Sequence, residues 1–328
     1  AARRARGLHR RNDRDCVSNL ARRCTSRKAT RTPDAPHRAP RRTLRRATSI
    51  VRSIVLPLHS LDSAAVDAAQ GAYAFLVGLI ITLLLGGLVA ARRLSGGVSV
   101  WAWGGVAFVL SQAARVPILT VVNAVVIGAV APTPGSGSWF TAVLVASFSA
   151  GIFEEGSRAF ILSKAARHVR TERGGVAFGL GHAGIEALIF ALIPAVAALL
   201  LLGSVVDGSA FENLDEASLQ QLDAAITFLG SQNAAVSLLA FAERCFATLL
   251  HVVLSLYVVR AVSQSPDRNS LVRALVFPIL LHGAANLVPV LLVPAAGVFM
   301  AEAAFAAVTV AAAANYLRTR PNAGTPPA

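Results

Sequence analysis

The stretch Gly151-Ile-Phe-Glu-Glu-Gly-Ser-Arg158 decides how the chain folds, because it places three charged side chains within an apolar run from Trp139 to Ser163. An ionisable side chain at the middle of a bilayer costs about 2.5–3.5 kcal/mol on insertion scales, so it is usually paired and usually functional. Three later apolar segments carry polar groups that could pair with these charges: Gly181-His-Ala-Gly-Ile-Glu186, Glu243–His251 and His282-Gly-Ala-Ala-Asn286. The sequence therefore predicts helices arranged around one shared polar site.

Composition indicates the class of protein. Of 328 residues, 55% are hydrophobic and only 15% are charged, and the mean hydropathy is +0.59. Long uncharged stretches in such a chain are typical of a polytopic membrane protein. A helix needs about 20 apolar residues to cross about 30 Å of hydrocarbon. We predict an all-α membrane bundle of about seven transmembrane helices: 70–91, 101–131, 139–163, 174–203, 234–259, 271–290 and 293–316.

The second segment is long and contains Pro117, which could kink one tilted helix or separate two short helices. We predict a single helix, because connections with basic residues and connections without them then alternate along the chain. The connections without Lys or Arg are 131–138, 203–233 and 288–294. Basic residues occupy the others: Arg92–Arg93, 164–173, 260–273 and Arg318–Arg320. The positive-inside rule then predicts a multi-pass protein of the cell membrane with a cytoplasmic C-terminus.

The net charge of +14 belongs to the start of the chain. Residues 1–53 hold 17 of the 31 Lys and Arg residues and 3 of the 17 acidic residues, so residues 54–328 are neutral overall. The Arg-rich segment shows neither helical periodicity nor interleaved aromatic residues, and we predict a disordered tail with no nucleic-acid partner. Because Met300 is the single methionine, we expect a mis-assigned start to account for this tail.

Four polar groups are predicted to share one depth. Each lies nine residues from a basic residue at the cytoplasmic boundary: Glu155 from Lys164, His182 from Arg173, His251 from Arg260, and His282 from Arg273. At 1.5 Å per residue this is about 13 Å into the membrane. Helical spacing of three or four residues places further polar side chains beside them: Arg158, Glu186, Ser255 and Asn286.

Two chemistries fit these residue types. His182, His251, His282 and Glu155 could hold a zinc ion with one position left open for water. Without a metal, Glu154 or Glu155 would activate water with help from His182, while His282 and Asn286 donate hydrogen bonds to the oxyanion. Both lead to hydrolysis of a carbonyl compound or amide. The supporting residues in either case are Arg158, Glu186, Glu243, Arg244 and Ser255.

At these residues the sequence resembles the YhfC-type family of intramembrane metalloproteases and, more widely, the CAAX-prenyl, bacteriocin-processing and PrsW-like proteases. The resemblance extends over about 70–316. Its motifs are EExxR (Glu154, Glu155, Arg158), GxGHxGxEA (179–187), ER…H (Glu243, Arg244, His251) and HxxxN (His282, Asn286). It implies a multi-pass bacterial membrane peptidase in which the glutamate pair, His182 and the His282–Asn286 pair are catalytic.

The resulting prediction is an intramembrane peptidase that cleaves a membrane-embedded or membrane-proximal peptide, with zinc as the cofactor of the metal-dependent version. The peptidase-like bundle would comprise residues 54–320, preceded by the tail 1–53 and followed by a disordered C-terminal tail, 321–328. Two alternatives use the same residues. The Glu/His cluster would serve a transporter as a proton or ion relay, or it would persist in a non-catalytic membrane assembly factor.

Overall fold

The computed structural model describes residues 63–94, 97–128, 132–211 and 214–320, and the predicted tails 1–53 and 321–328 lie outside this range. The described residues form nine α-helices and no strand. The helices are α1 (Ser63–Arg93), α2 (Gly97–Val122), α3 (Gly137–Lys164), α4 (Glu172–Ala187), α5 (Ile193–Val206), α6 (Glu216–Gly230), α7 (Ala234–Gln264), α8 (Arg268–Ala296) and α9 (Val298–Thr319).

Seven helical segments in the described part of the chain are long and apolar enough to cross a membrane, which confirms the predicted all-α membrane bundle. Helices α4 and α5 form one of these segments, Glu172–Val206. The outer surface is apolar: Leu85, Phe160 and Leu200 are between 54% and 70% exposed. A surface of this kind is stable in contact with lipid rather than water. The chain is therefore a multi-pass membrane protein.

Two of the membrane segments contain a π-helical turn. Helix α2 continues past Pro117 as one helix, as predicted, and ends in a π turn at Asn123–Ile127. A second π turn, Leu188–Leu192, joins α4 to α5. Such turns shift the face that a helix presents and are frequent near functional sites. The second one begins two residues after Glu186.

The connection 203–233 contains a helix that the sequence interpretation did not predict. Helix α6 begins after Asp215, whose carboxylate accepts a hydrogen bond from the backbone N–H of Ser218 at 2.8 Å and so caps the helix. Ile226 is fully buried, whereas Phe228 is 67% exposed. This helix packs against α1 and α5. At 15 residues the helix is shorter than a membrane span, so the length criterion used to predict membrane helices did not detect it.

Glycine residues allow the helices around the site to approach closely. A Cβ atom at Gly104 of α2 would lie 1.9 Å from the carbonyl oxygen of Phe178, and one at Gly181 of α4 would lie 1.8 Å from that of Trp101. Helix α3 approaches α8 in the same way, because a Cβ atom at Gly151 would lie 2.4 Å from the Ile279 carbonyl oxygen. Small residues at helix crossings are the usual means of close packing inside membranes.

The connections that carry basic residues meet at one end of the bundle. A single apolar cluster contains Ala91 of α1, Val169 before α4 and Ala261 of α7, and Leu94 and Leu271 pack against it. These residues flank the basic connections that follow α1, α3 and α7. We call this end of the molecule the basic end.

The close crossing of α2 and α4 predicts the effect of a single methyl group. Gly181→Ala should lower the free energy of unfolding by about 1–3 kcal/mol, because the added Cβ atom has no space beside the Trp101 carbonyl. Thermal unfolding in detergent measures the loss. Gly78→Ala is the matched control, since nothing lies within 4 Å of the added atom. Equal stability of the two variants would contradict the packing described.

Candidate active site

Four membrane helices contribute to one buried group of ionisable side chains. Its members are Glu154, Glu155 and Arg158 of α3, His182 of α4, His251 of α7 and His282 of α8, and all six are buried. The ring centroid of His251 lies 5.1 Å from that of His182 and 5.4 Å from that of His282. The polar groups that the sequence placed at one depth therefore lie side by side. We call these six residues the buried polar group.

Glu154 is the glutamate that faces the cavity beside this group. Its Oε2 lies 3.0 Å from Nε2 of His182 and 3.8 Å from Nε2 of His282. Its Oε1 accepts a hydrogen bond of 3.2 Å from the side-chain amide of Gln112 on α2. Glu154 is thus shared by α2, α4 and α8, and it is the carboxylate positioned to contact a bound molecule.

Glu155 points the other way, into the protein. Its Oε1 accepts hydrogen bonds from Nη1 of Arg158 and from Nδ1 of His282, the latter at 2.8 Å. Its Oε2 is buried with no hydrogen-bond partner among the described residues. Consecutive residues of an α-helix differ by about 100° in direction, which explains why only one of the pair reaches the cavity.

Arg158 connects α3 to α7. Its side chain is fully buried, its Nη1 donates to Glu155, and its Nη2 lies 2.7 Å from Nδ1 of His251. Because a guanidinium can only donate, Nδ1 of His251 accepts and the proton of a neutral ring is assigned to Nε2. That Nε2 is in close contact with Oε2 of Glu186.

Glu186 contacts both His251 of the buried polar group and Arg244 of a second ion pair. Its Oε1 accepts a bond of 3.2 Å from Nη1 of Arg244, and Arg244 also donates to Glu243 through both Nε and Nη2. The neighbours Glu243 and Arg244 therefore form an ion pair. The contact with Glu186 links that pair to His251, and it joins residues that are 58 positions apart.

Four side chains could hold a metal ion. One ligand atom each from Glu154, His182, Glu186 and His251 lies within 4.8 Å of the other three. Ligand atoms around a tetrahedral zinc ion are about 3.5 Å apart, so small side-chain movements would bring these four into place. Imidazole nitrogen and carboxylate oxygen are donors that zinc accepts. Ligation by Nε2 of His251 would release the proton that the contact with Arg158 assigns to it.

The predicted ligands and this group overlap only in part. His182 and His251 belong to it, whereas Glu155 and His282 do not. His282 nevertheless has the arrangement common among metal-binding histidines, in which one ring N–H donates to a carboxylate and the other nitrogen is left as a ligand. Glu155 is that carboxylate, and Nε2 of His282 faces Glu154.

A cavity of about 290 Å³ adjoins these residues. Its lining comes from the halves of the helices that are farther from the basic end, and includes Arg115, Glu243, Arg244, Pro289, Glu302 and Phe305. Asn286 also lines it, one turn from His282, as the HxxxN spacing predicted. Ser255 does not contribute, because its buried hydroxyl has no hydrogen-bond partner among the described residues. His251 instead bonds to Arg158 and is in close contact with Glu186.

Two polar residues of α2, which from the sequence alone could be supporting residues or a helix-packing pair, also lie at the site. Gln112 bonds to Glu154, and Arg115 is held by Ser149 at 3.1 Å and by the Ala146 carbonyl at 2.9 Å. The signal was present in the sequence, because these two polar residues are three apart in an otherwise apolar helix and so share a face. Glu302 of α9 also lines the cavity, although nothing in its local sequence indicated a site.

The fold and the buried polar group together define a class: a multi-pass membrane protein with a glutamate–histidine centre inside its helical bundle. The chain belongs to the YhfC intramembrane metalloprotease family, whose characteristic sequence it matches over residues 81–309. The matched region includes every member of the buried polar group. Comparison with curated proteins and with solved structures gives no match.

The burial of Arg158 predicts a large and repairable loss of stability. Arg158→Met should destabilise the protein by about 3–5 kcal/mol, because Glu155 then keeps a buried charge without its cation. Adding Glu155→Gln removes that charge, so the double variant should be more stable than Arg158→Met alone. Unfolding in mixed detergent micelles measures both. Arg167→Met, at an exposed arginine, is the control, and failure of the second substitution to restore stability would contradict the pairing.

Proposed function

We propose that the protein is an intramembrane peptidase that hydrolyses a peptide bond at the buried polar group. The observation that carries the proposal is the position of Glu154, His182, Glu186 and His251 around one point beside a 290 Å³ cavity within an apolar bundle. Membership of the YhfC intramembrane metalloprotease family supports the same reaction class. Charged groups at this depth are costly, and hydrolysis supplies a reason for them to be present.

In this proposal a zinc ion is held by Glu154, His182 and Glu186, with His251 or His282 as a further ligand. When bound, zinc supplies a Lewis acid that polarises a carbonyl group and makes water more acidic. The protein supplies the surroundings. Arg158 and Glu155 orient His251 and His282 by hydrogen bonds to Nδ1, and Gln112 orients Glu154.

In the version of the reaction without a metal, Glu154 is the proposed proton carrier. It faces the cavity, its Oε2 is within hydrogen-bond distance of His182, and its Oε1 is held by Gln112. From this position it can accept a proton from water on one side of the scissile bond and return it to the leaving amine. Asn286, which lines the same cavity, is positioned to donate a hydrogen bond from its amide to the carbonyl oxygen of the substrate.

The same residues also support a reaction in which no metal takes part. Glu154 and His182 would then activate water directly, and His282 with Asn286 would stabilise the oxyanion. This version corresponds to the proposed kinship with CAAX-prenyl and PrsW-like proteases. The two versions differ in what they require of Glu154, Glu186 and His251, which are ligands in the first. In the second, Glu154 activates water, and Glu186 and His251 are supporting residues.

The proposed substrate is a membrane-embedded or membrane-proximal peptide. The cavity extends from the buried polar group toward the end of the bundle opposite the basic end, where its wall includes Glu243, Arg244 and Glu302. Hydrolysis there requires an extended segment, because the backbone of an intact helix shields its peptide bonds. The positive-inside rule supports a cell-membrane topology in which the basic end and the C-terminus are cytoplasmic.

Metal content separates the two versions of the reaction. Purified wild-type protein is expected to carry about one zinc ion per chain, and Glu154→Gln, His182→Ala and Glu186→Gln should each lose most of it. Elemental analysis by mass spectrometry measures the ratio. His168→Ala, at an exposed histidine of a basic connection, should retain the metal. Absence of zinc from carefully prepared wild type would instead favour activation of water by Glu154.

Proteolysis tests the function in either version. Cells that express the wild type should show new N-termini among membrane proteins, detected by mass spectrometry, and Glu154→Gln should reduce their formation by about 100-fold or more. Glu216→Gln, on the exposed start of α6, should leave them unchanged. The peptidase proposal is wrong if Glu154→Gln retains all cleavages. It is also wrong if purified wild type transports ions across a membrane but cleaves no peptide.

A further inference from the structure

A second cavity lies at the basic end, between the last turns of α7 and the first turns of α8. It has a volume of about 320 Å³, and its lining includes Tyr257, Arg260, Ser265, Ser270 and Phe277. None of these residues belongs to the buried polar group or lines the cavity beside it. The described chain therefore has a distinct recess, lined by both polar and apolar groups, near the level at which a membrane helix leaves the hydrocarbon.

Arg260 is the charged side chain of this recess, and it is held in place without a carboxylate. Its Nη1 donates to the carbonyl and the hydroxyl oxygens of Thr319 at 3.2 and 3.3 Å. Its guanidinium lies over the ring of Tyr316, 4.4 Å from the ring centroid. No ion pair of Arg260 occurs within the described ranges, and its Nη2 is turned inward with no hydrogen-bond partner there. The positive charge is thus positioned but not neutralised.

The surroundings of the recess add positive charge. Arg268 and Arg273 lie in the first two turns of α8, and Nη2 of Arg273 lies 3.4 Å from the hydroxyl of Ser270 in the cavity wall. The one acidic residue of this connection, Asp267, already caps α8 by accepting a bond from the backbone N–H of Ser270. That bond lowers the pKa of the Asp267 carboxyl. The nearby carboxylate of Glu172 accepts a hydrogen bond from the hydroxyl of Tyr316 rather than from Arg260.

The membrane side of the recess is aromatic and apolar. The rings of Tyr257 and Phe277 pack with their centroids 5.1 Å apart, and Phe277 is 48% exposed on the outer surface. Aromatic side chains concentrate where the headgroup region meets the hydrocarbon. The recess therefore has cationic and hydroxyl groups toward the water and aromatic groups toward the acyl chains, which is the polarity of a phospholipid.

We propose that this recess binds the phosphate group of an anionic phospholipid, with Arg260 as its principal contact and Arg273 and Ser270 as supporting contacts. Basic recesses between membrane helices at the side of the positive residues are suited to such headgroups. A phosphate oxygen in the recess would accept a hydrogen bond from the Arg260 guanidinium, which would exchange its contacts with Thr319 for contacts with the phosphate. The bound lipid would join the ends of α7, α8 and α9. The inference does not depend on peptidase activity.

Lipid titration of the full-length protein tests the proposal. Purified protein in neutral detergent is titrated with phosphatidylglycerol and, separately, with phosphatidylcholine, and the bound fraction is followed by native mass spectrometry. Wild type should bind phosphatidylglycerol more tightly, and Arg260→Gln should weaken that binding by about fivefold, the contribution expected of one basic side chain near a lipid surface. Arg318→Gln is the matched control, because that exposed arginine lies at the same end outside the recess.

Further measurements keep the result decisive. If Arg260→Gln unfolds because it loses the contact with Thr319, Arg273→Gln is used as the test variant in its place. Arg273 is exposed, and its substitution leaves the helix packing unchanged. A third titration uses inorganic phosphate. Binding of phosphate as tight as that of phosphatidylglycerol would overturn the lipid assignment in favour of a free anion. Equal binding of the two lipids, or equal loss in Arg318→Gln and the recess variants, would overturn the site itself.

Discussion

The ionic contact of Arg158 with Glu155 is the interaction on which the rest of the bundle depends. A guanidinium with no exposed surface is stable only when its charge is compensated, and here the compensation comes from Glu155, with His251 accepting a further bond. Through these contacts Arg158 ties α3 directly to α7, and Glu155 extends the connection to His282 of α8. The pairing that makes buried charge tolerable also orients the two histidines, so stability and the proposed chemistry depend on the same atoms.

Close helix packing is the second condition for the site. Carboxylate and imidazole side chains are short, and they meet only if the backbones that carry them approach closely. The contacts at Gly104, Gly151 and Gly181 leave no space for a Cβ atom. Gly151 is three residues from Glu154, Gly181 is next to His182, and Gly104 packs against the helix that carries His182. Apolar association is weak between helices already surrounded by lipid, so such close contacts and the polar bonds hold the bundle together.

The sequence was sufficient for the features that depend on distance along the chain. Seven long apolar segments predicted the bundle, and equal spacing from basic residues predicted that Glu155, His182, His251 and His282 share one level. It was insufficient for features that depend on direction around a helix. Glu154 and Glu155 differ by about 100°, and only the position of neighbouring helices decides which one reaches the cavity. The contact of Glu186 with Arg244 was likewise inaccessible, because it joins side chains from separate helices. The proposed catalytic and metal-binding roles stay predictions.

The spacing of Glu155 and Arg158 has a consequence for how the protein enters the membrane. During synthesis α3 emerges long before α7 and α8, so Glu155 cannot yet contact His282, which lies 127 residues later. Arg158 is three residues away on the same helix, so the spacing allows the ion pair to form within the newly made segment. The local pair shields charge while the helix inserts, and the later helices then add their histidines to an arrangement that already exists. The spacing of the EExxR motif thus favours an order of assembly in which the ion pair precedes the contacts with the later helices.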